Sequence, residues 1–401
     1  MVDPTPSPWS WLPRAWREPL DVARRDLAHL RRRLAGAPVA QTVARPVRTT
    51  AAPTPSHRAG ARALELVAVT RETADALSLT FAPRDGRPVA FEAGQFLTLE
   101  VPVEGVVQRR AYSLSSSAAD GARVTVTVKR VPGGLVSNRL HDAAKVGDVV
   151  DVHGPSGSFT VGDATAPRHV VLVAGGSGIT PMMSILRTHL EASPALRFTL
   201  VYGNRGPAHV IFRDALDDLA ARHPDRLAVV HAFEDAPEGW VGVAGRLDEA
   251  TCARVFDGLA FDGGEHWMLC GPDAMMAAAR AALRARGVAP EHIREERFFT
   301  PATGRAAGAG EVRFVTLRTP SGERKVEAKP GVTLLDAGLG AGVDLPFSCT
   351  MGGCGACRVK VTAGEVALDE PNCLTASERA AGYALACCAR AVTDVTAEVA
   401  P

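Results

Sequence analysis

No stretch of this chain approaches the roughly 18 to 20 uninterrupted apolar residues of a membrane span. Its start also lacks an apolar core ahead of a small-residue cleavage site, so the chain reads as cytoplasmic. Net charge is nearly absent: 45 Lys and Arg against 44 Asp and Glu leave +1 at neutral pH. That balance excludes the strong pull on nucleic acid or acidic substrates that a basic protein exerts. Cysteine is sparse, with eight in 401 residues. Four of them cluster late, a pattern of metal ligation in a reducing compartment and not of a disulfide framework.

The length suits about three domains, and the pattern along the chain divides accordingly. Residues 1–60 are rich in Pro, Ala and Arg and carry ten Arg against four acids, a local excess of +6. Within them Leu20, Ala23, Leu27, Leu30 and Leu34 recur at helical spacing between Pro19 and Gly36. This basic amphipathic helix predicts either peripheral contact with an acidic membrane at the inner membrane surface, or packing on the protein's own next domain. Residues 61–165 change to strand periodicity, with Leu64 to Val69, Leu77 to Phe81, Phe96 to Val101 and the alternation from Arg123 to Lys129, as in a small antiparallel β-barrel. Residues 166–302 show a βαβ pattern: buried parallel-type strands at His169–Val173, Arg197–Tyr202 and His266–Leu269, with a helix over Met182–Leu190. A Gly- and Ala-rich linker covers 303–310 and leads to a short mixed unit at 311–401. Such a tether leaves the two halves to fold separately and to dock weakly.

Cys349, Cys354 and Cys357 form a Cys-x4-Cys-x2-Cys run, with Cys387 as the distant fourth ligand. This is the plant-type spacing for a 2Fe-2S cluster, and Gly352, Gly353 and Gly355 let backbone amides approach the sulfurs. A zinc site or buried thiols is the alternative. Cys388 adjoins the fourth ligand, but the spacing favours Cys387; Cys252 and Cys373 read as ordinary thiols. Leu345-Pro-Phe-Ser-Cys349 and Leu385-Ala-Cys387 resemble the frame of plant-type ferredoxins, a likeness that runs through the last domain and implies an α+β β-grasp fold.

Arg110-Ala-Tyr-Ser113 resembles the Arg-x-Tyr-Ser signature of the ferredoxin-NADP reductase superfamily. The resemblance implies Arg110 on a flavin phosphate, Tyr112 against the isoalloxazine and Ser113 near N5, with Tyr112, Ser113 and Cys270 as the residues at the reacting atoms. Gly133, Gly134 and Ser137 resemble the family's second pyrophosphate contact. Gly154-Pro-Ser-Gly-Ser-Phe159 is similar to the loop of FAD-using members, which favours FAD over FMN. Ala174-Gly175-Gly176-Ser177-Gly178-Ile-Thr180-Pro181 follows a strand and opens a helix, the context of a phosphate-cradling turn. Cys270-Gly271-Pro272 resembles the family's nicotinamide-side motif; its plainer reading is a buried Cys before a turn. Arg205, just past the second strand and without an acid beside it, favours NADPH, with NADH the alternative and a solvent-facing Arg the plain reading.

The order of flavin, nucleotide and ferredoxin units is similar to that of phthalate-dioxygenase-type and phenylacetyl-CoA-epoxygenase-type reductases. The resemblance implies an electron transferase that moves hydride from NADPH to FAD and single electrons through the cluster to an oxygenase, hydroxylase or desaturase. Phe298 and Phe299 precede a linker, which separates this chain from members ending in an aromatic over the flavin. A redox-sensing or scaffold flavoprotein with slow turnover is the alternative. Intact Arg110, Ser113, Gly175 to Pro181 and the four cluster Cys argue against it.

Overall fold

A computed structural model of the chain describes residues 61–162, 168–259, 264–298, 311–369 and 372–399. The N-terminal segment with its expected helix, the linker and Phe299 lie outside the described residues. Among the described residues no helix is long and apolar enough to cross a membrane.

The first domain is built from β1 (Arg62–Thr73), β2 (Ala76–Pro83), β3 (Phe96–Val103), β4 (Val106–Ser113), β5 (Val124–Lys129), α1 (Leu135–Ala143) and β6 (Val149–Ser156). Alternation in β5 sends Val124, Val126 and Val128 into a core with Leu64, Leu79, Phe81, Leu97 and Leu99. The sheet is antiparallel in the order β4-β3-β6-β1-β2-β5, and a bridge between Leu114 and Val126 joins its two ends.

The second domain contains β7 (Arg168–Gly175), α2 (Ile179–Ala192), β8 (Leu196–Asn204), α3 (Arg213–Arg222), β9 (Leu227–Phe233), β10 (Val243–Ala244), α4 (Glu249–Asp257), β11 (His266–Cys270), α5 (Asp273–Ala285) and β12 (Ile293–Glu296). All neighbouring strands are parallel, in the order β10-β9-β8-β7-β11-β12. The continuous apolar run of β7 is explained by burial on both faces. Val170 and Leu172 join α2 and α3 in one core, and Val171 and Val173 join α4 and α5 in another. Phe159 and Val161 of the first domain enter the α2-side core, so these two domains share packing.

The third domain comprises β13 (Arg313–Thr319), β14 (Gly322–Ala328), α6 (Leu334–Gly340), β15 (Arg358–Ala363), β16 (Val366–Leu368), α7 (Ala376–Ala380), β17 (Tyr383–Leu385), β18 (Ala389–Ala391) and β19 (Val395–Val399). Its mixed sheet runs β14-β13-β19-β15-β17, with β13 and β19 parallel, and β16 and β18 form a separate ribbon. This domain rests on β3, β4 and β6 of the first, with Thr98 donating to the Ser348 carbonyl at 2.5 Å. The tether expected over residues 303–310 lies outside the described residues; the described contacts come from strand and loop side chains such as Thr98 and Thr350.

Candidate functional site

Strand order in the second sheet reverses between β7 and β11, and in an open parallel sheet the crevice at the carboxyl ends of such strands takes the ligand. Gly175 to Pro181 leaves β7 there and Cys270 to Pro272 leaves β11. The two turns pack so closely that a Cβ on Gly178 would lie 2.0 Å from the Cys270 carbonyl oxygen, and one on Gly271 would lie 2.9 Å from the Gly175 nitrogen. Glycine is required here by approach of backbone to backbone. Buried Tyr202 donates to the Gly176 carbonyl at 2.9 Å, and Thr180 donates to the Ser177 carbonyl at 3.0 Å, which fixes the turn. No acidic residue lies in the first turn of α2, leaving that end free of negative charge.

A cavity of about 820 Å³ opens over these turns. Gly175, Gly176 and Pro272 form part of its floor, and Arg205, His209 and Arg246 line it beside them. Lys129 reaches in from the first domain, its Nζ 3.6 Å from where a Gly176 Cβ would stand. Lys129, Arg130, Arg205 and Arg246 give the lining a small cationic excess over Asp75, Glu234 and Asp248, which suits a phosphorylated ligand. Glu234, just past β9, also lines the cavity and pairs with Arg246 at 3.1 Å. The sequence reading does not include Glu234 or Arg246.

At the domain boundary, Ser113 at the end of β4 donates to Glu296 Oε2 at 3.1 Å. Glu296 ends β12 directly opposite Cys270 in the parallel register. Its pKa is pushed up to about 8, because burial penalises the carboxylate more than the Ser113 hydroxyl relieves it. Cys270 is fully buried, and burial together with the Glu296 charge holds its thiol protonated well above the ordinary range. Glu296 carries no motif; only the pairing of β11 with β12 brings it to Ser113.

Arg110 is half-buried, and among the described residues it has no carboxylate within ion-pair distance; its Nη1 donates to the Arg109 carbonyl at 2.7 Å. Burial lowers its pKa, slightly countered by Tyr112 and Asp336. Half-buried Tyr112 has its hydroxyl pKa raised by burial. Gly133 sits in the turn before α1 and Gly134 is its N-cap, without a side-chain cap or a first-turn acid. Ser137, in the first turn, accepts from the Val131 N–H at 3.1 Å. An unpaired guanidinium and an uncapped helix start on one domain fit a pyrophosphate.

In the third domain Cys349, Cys354 and Cys357 lie on the loop between α6 and β15, and Cys387 lies between β17 and β18. The thiols come in two pairs. Cys354 is drawn below the ordinary thiol range by the Cys349 thiol and by N–H groups of Cys349 and Ala356, and Cys357 by the thiol and backbone of Cys387. The Cys349 N–H points at Cys354 Sγ and the Met351 N–H at Cys349 Sγ, each at 3.4 Å. Two thiol pairs supplied with amide donors fit the two irons of such a cluster. Cys388 is buried with its Sγ 3.6 Å from that of Cys387, while Cys354 and Cys373 are exposed and Cys252 is buried among α4 neighbours.

Comparison with known proteins finds three family matches along the chain. The family described as oxidoreductase FAD-binding domain matches residues 63–161, the oxidoreductase NAD-binding domain 172–281, and the 2Fe-2S iron-sulfur cluster binding domain 318–392. The ferredoxin reductase component of 3-ketosteroid-9-alpha-monooxygenase from Mycolicibacterium smegmatis is 38% identical over 353 residues, covering 82% of this chain and 94% of that protein. One polypeptide of the 1,2-phenylacetyl-CoA epoxidase of Escherichia coli is 35% identical over 343 residues, covering 82% and 95%. Among solved structures, phthalate dioxygenase reductase superposes with a TM-score of 0.65 at 28% identity, covering 84% of this chain and 98% of that one.

Proposed function

The chain belongs to the family of three-domain oxygenase reductases that carry FAD-, NAD- and 2Fe-2S-binding domains in one polypeptide, and from that premise we propose that it oxidises NADPH and delivers single electrons to an oxygenase, hydroxylase or desaturase. Bound FAD supplies the change from two-electron to one-electron chemistry, and the cluster carries the electrons onward.

In this reading the chain's own residues bind, orient and shield. Arg110 and the uncapped start of α1, with Gly133, Gly134 and Ser137, hold the flavin pyrophosphate. Tyr112 offers a ring face, and Ser113 a hydroxyl where hydride arrives. Gly175 to Pro181 take the nucleotide phosphates, while Gly271 and Pro272 with Cys270 shape the wall facing the nicotinamide. Cys270, kept neutral by burial, is small enough to leave room for a ring and inert enough not to attack it. Glu296 holds the Ser113 hydroxyl and is protonated below about pH 8, so it can keep a proton beside the transfer site. Arg205 and Arg246 face a 2′-phosphate. Cys349, Cys354, Cys357 and Cys387 would hold the cluster through their thiolates.

The observation that carries the proposal is the hydrogen bond from Ser113 to Glu296, the register partner of Cys270, which sets a flavin-side group against the nucleotide-side strand that leaves the switch point. Steady-state oxidation of NADPH with ferricyanide, and then with a one-electron protein acceptor, tests it. A protein loaded with flavin that fails to oxidise either nicotinamide nucleotide would remove the reading.

A further inference from the structure

Arg109, the residue before the flavin-phosphate candidate, is buried and points at the third domain. Its Nε donates to Glu100 Oε1 at 2.8 Å on the neighbouring strand, and its Nη1 donates to Asp336 Oδ1 of α6 at 2.9 Å, across the domain boundary. The guanidinium also lies over Phe347 at 5.6 Å, and His153, which contacts Glu100 at 3.1 Å, meets the same ring edge-on at 4.8 Å. The Arg109 carbonyl accepts from Arg110 Nη1 at 2.7 Å and from Thr350 Oγ1 at 3.1 Å. Thr350 follows Cys349 and holds a φ of 56°, a left-handed conformation that a β-branched residue adopts only when its surroundings impose it.

We propose that Arg109 is a positioning residue for electron transfer, clamping the cluster loop to the flavin strand through Asp336, Phe347 and Thr350. The inference rests on the reductase reading above. Phe347, Ser348 and Thr350 surround Cys349, and each contacts β3, β4 or β6, so the clamp acts on the segment that carries a cluster ligand. Deprived of Asp336, Arg109 keeps Glu100 within its own domain but loses its charged partner in the third, so the cross-domain contact weakens while the buried charge stays paired. The step itself moves one electron from reduced flavin to the oxidised cluster, with no bond made or broken.

The test uses the full-length protein loaded with flavin and cluster, comparing Asp336→Asn, Asp336→Glu and Arg109→Lys with the unaltered chain. Asp336 is half exposed and its backbone N–H, which caps on Thr333, survives the Asn change, so α6 remains formed. Flavin reduction by nucleotide is followed at the flavin band. Arrival of the electron at the cluster is followed separately after flash photoreduction of the flavin without nucleotide. Asp336→Asn is expected to slow arrival at the cluster by about tenfold, as misplacement of a reacting pair does, with flavin reduction unchanged and Asp336→Glu recovering part of the loss. Equal arrival rates in Asp336→Asn, Arg109→Lys and the unaltered protein would overturn the proposal, as would equal slowing of both steps. Failure of nucleotide to reduce the flavin in the unaltered protein would instead overturn the reductase reading.

Discussion

Ser113 and Glu296 are 183 residues apart in sequence, yet the hydroxyl of one donates to the carboxylate oxygen of the other at 3.1 Å, and that bond crosses from the first domain to the second. It puts a group with a raised pKa where the flavin and nicotinamide domains meet.

The first prediction concerns that carboxyl. Its pKa of about 8 in the folded protein lies above the ordinary 4.5, so between these values the folded chain holds a proton that the unfolded chain has released. Its contribution to stability therefore falls as pH rises through this window. The melting temperature should drop more between pH 6 and pH 8.5 in the unaltered protein than in Glu296→Gln. The pH profile of flavin reduction should also show a group titrating near 8 that Glu296→Gln abolishes; an unchanged profile assigns the titration elsewhere.

A second prediction follows from the contact of the two glycine turns. In Gly178→Ala a methyl would need the space already filled by the Cys270 carbonyl, so the backbone of one turn must move. Flavin content should be kept and nucleotide-dependent flavin reduction lost, measured by absorbance and stopped flow.

Third, Cys387→Ser should abolish the paramagnetic signal of the reduced cluster, and Cys388→Ser should retain it. The two sulfurs are 3.6 Å apart, so the opposite result would move the fourth ligand by one residue.

Fourth, Arg205→Ala should raise the KM for NADPH by roughly tenfold, the loss of one charge-assisted contact, and leave NADH nearly unchanged. A preference of the unaltered protein for NADH would overturn the 2′-phosphate assignment and turn attention to Glu234, the acid in the same cavity.

Much of this arrangement is legible from local pattern. The apolar run of β7, the alternation of β5 and the run of Cys349, Cys354 and Cys357 each declare themselves within a few residues, because periodicity and close ligand spacing are short-range properties. Glu296 is not legible, since it meets Ser113 only through the parallel pairing of β12 with β11, a relation set by sheet order. Arg109 is hidden for a different reason: beside Arg110 it looks like a second copy of the same charge. Only its pairing opposite Glu100 in the antiparallel register separates the two roles. Helix α1 likewise shows in the sequence only as the glycine turn that precedes it, although Val136 and Leu140 bury one face at helical spacing.

The cluster loop is covered on the Phe347–Thr350 side by the first domain, while Cys354 and Cys373 stay exposed. A visiting acceptor therefore has a landing place that the resident flavin domain does not occupy. Refilling and discharge need not alternate by one domain leaving so that another can arrive. The chain can work as a fixed conduit, recharged while its customer is still bound, and the number of turnovers per encounter is then set by how long the customer stays.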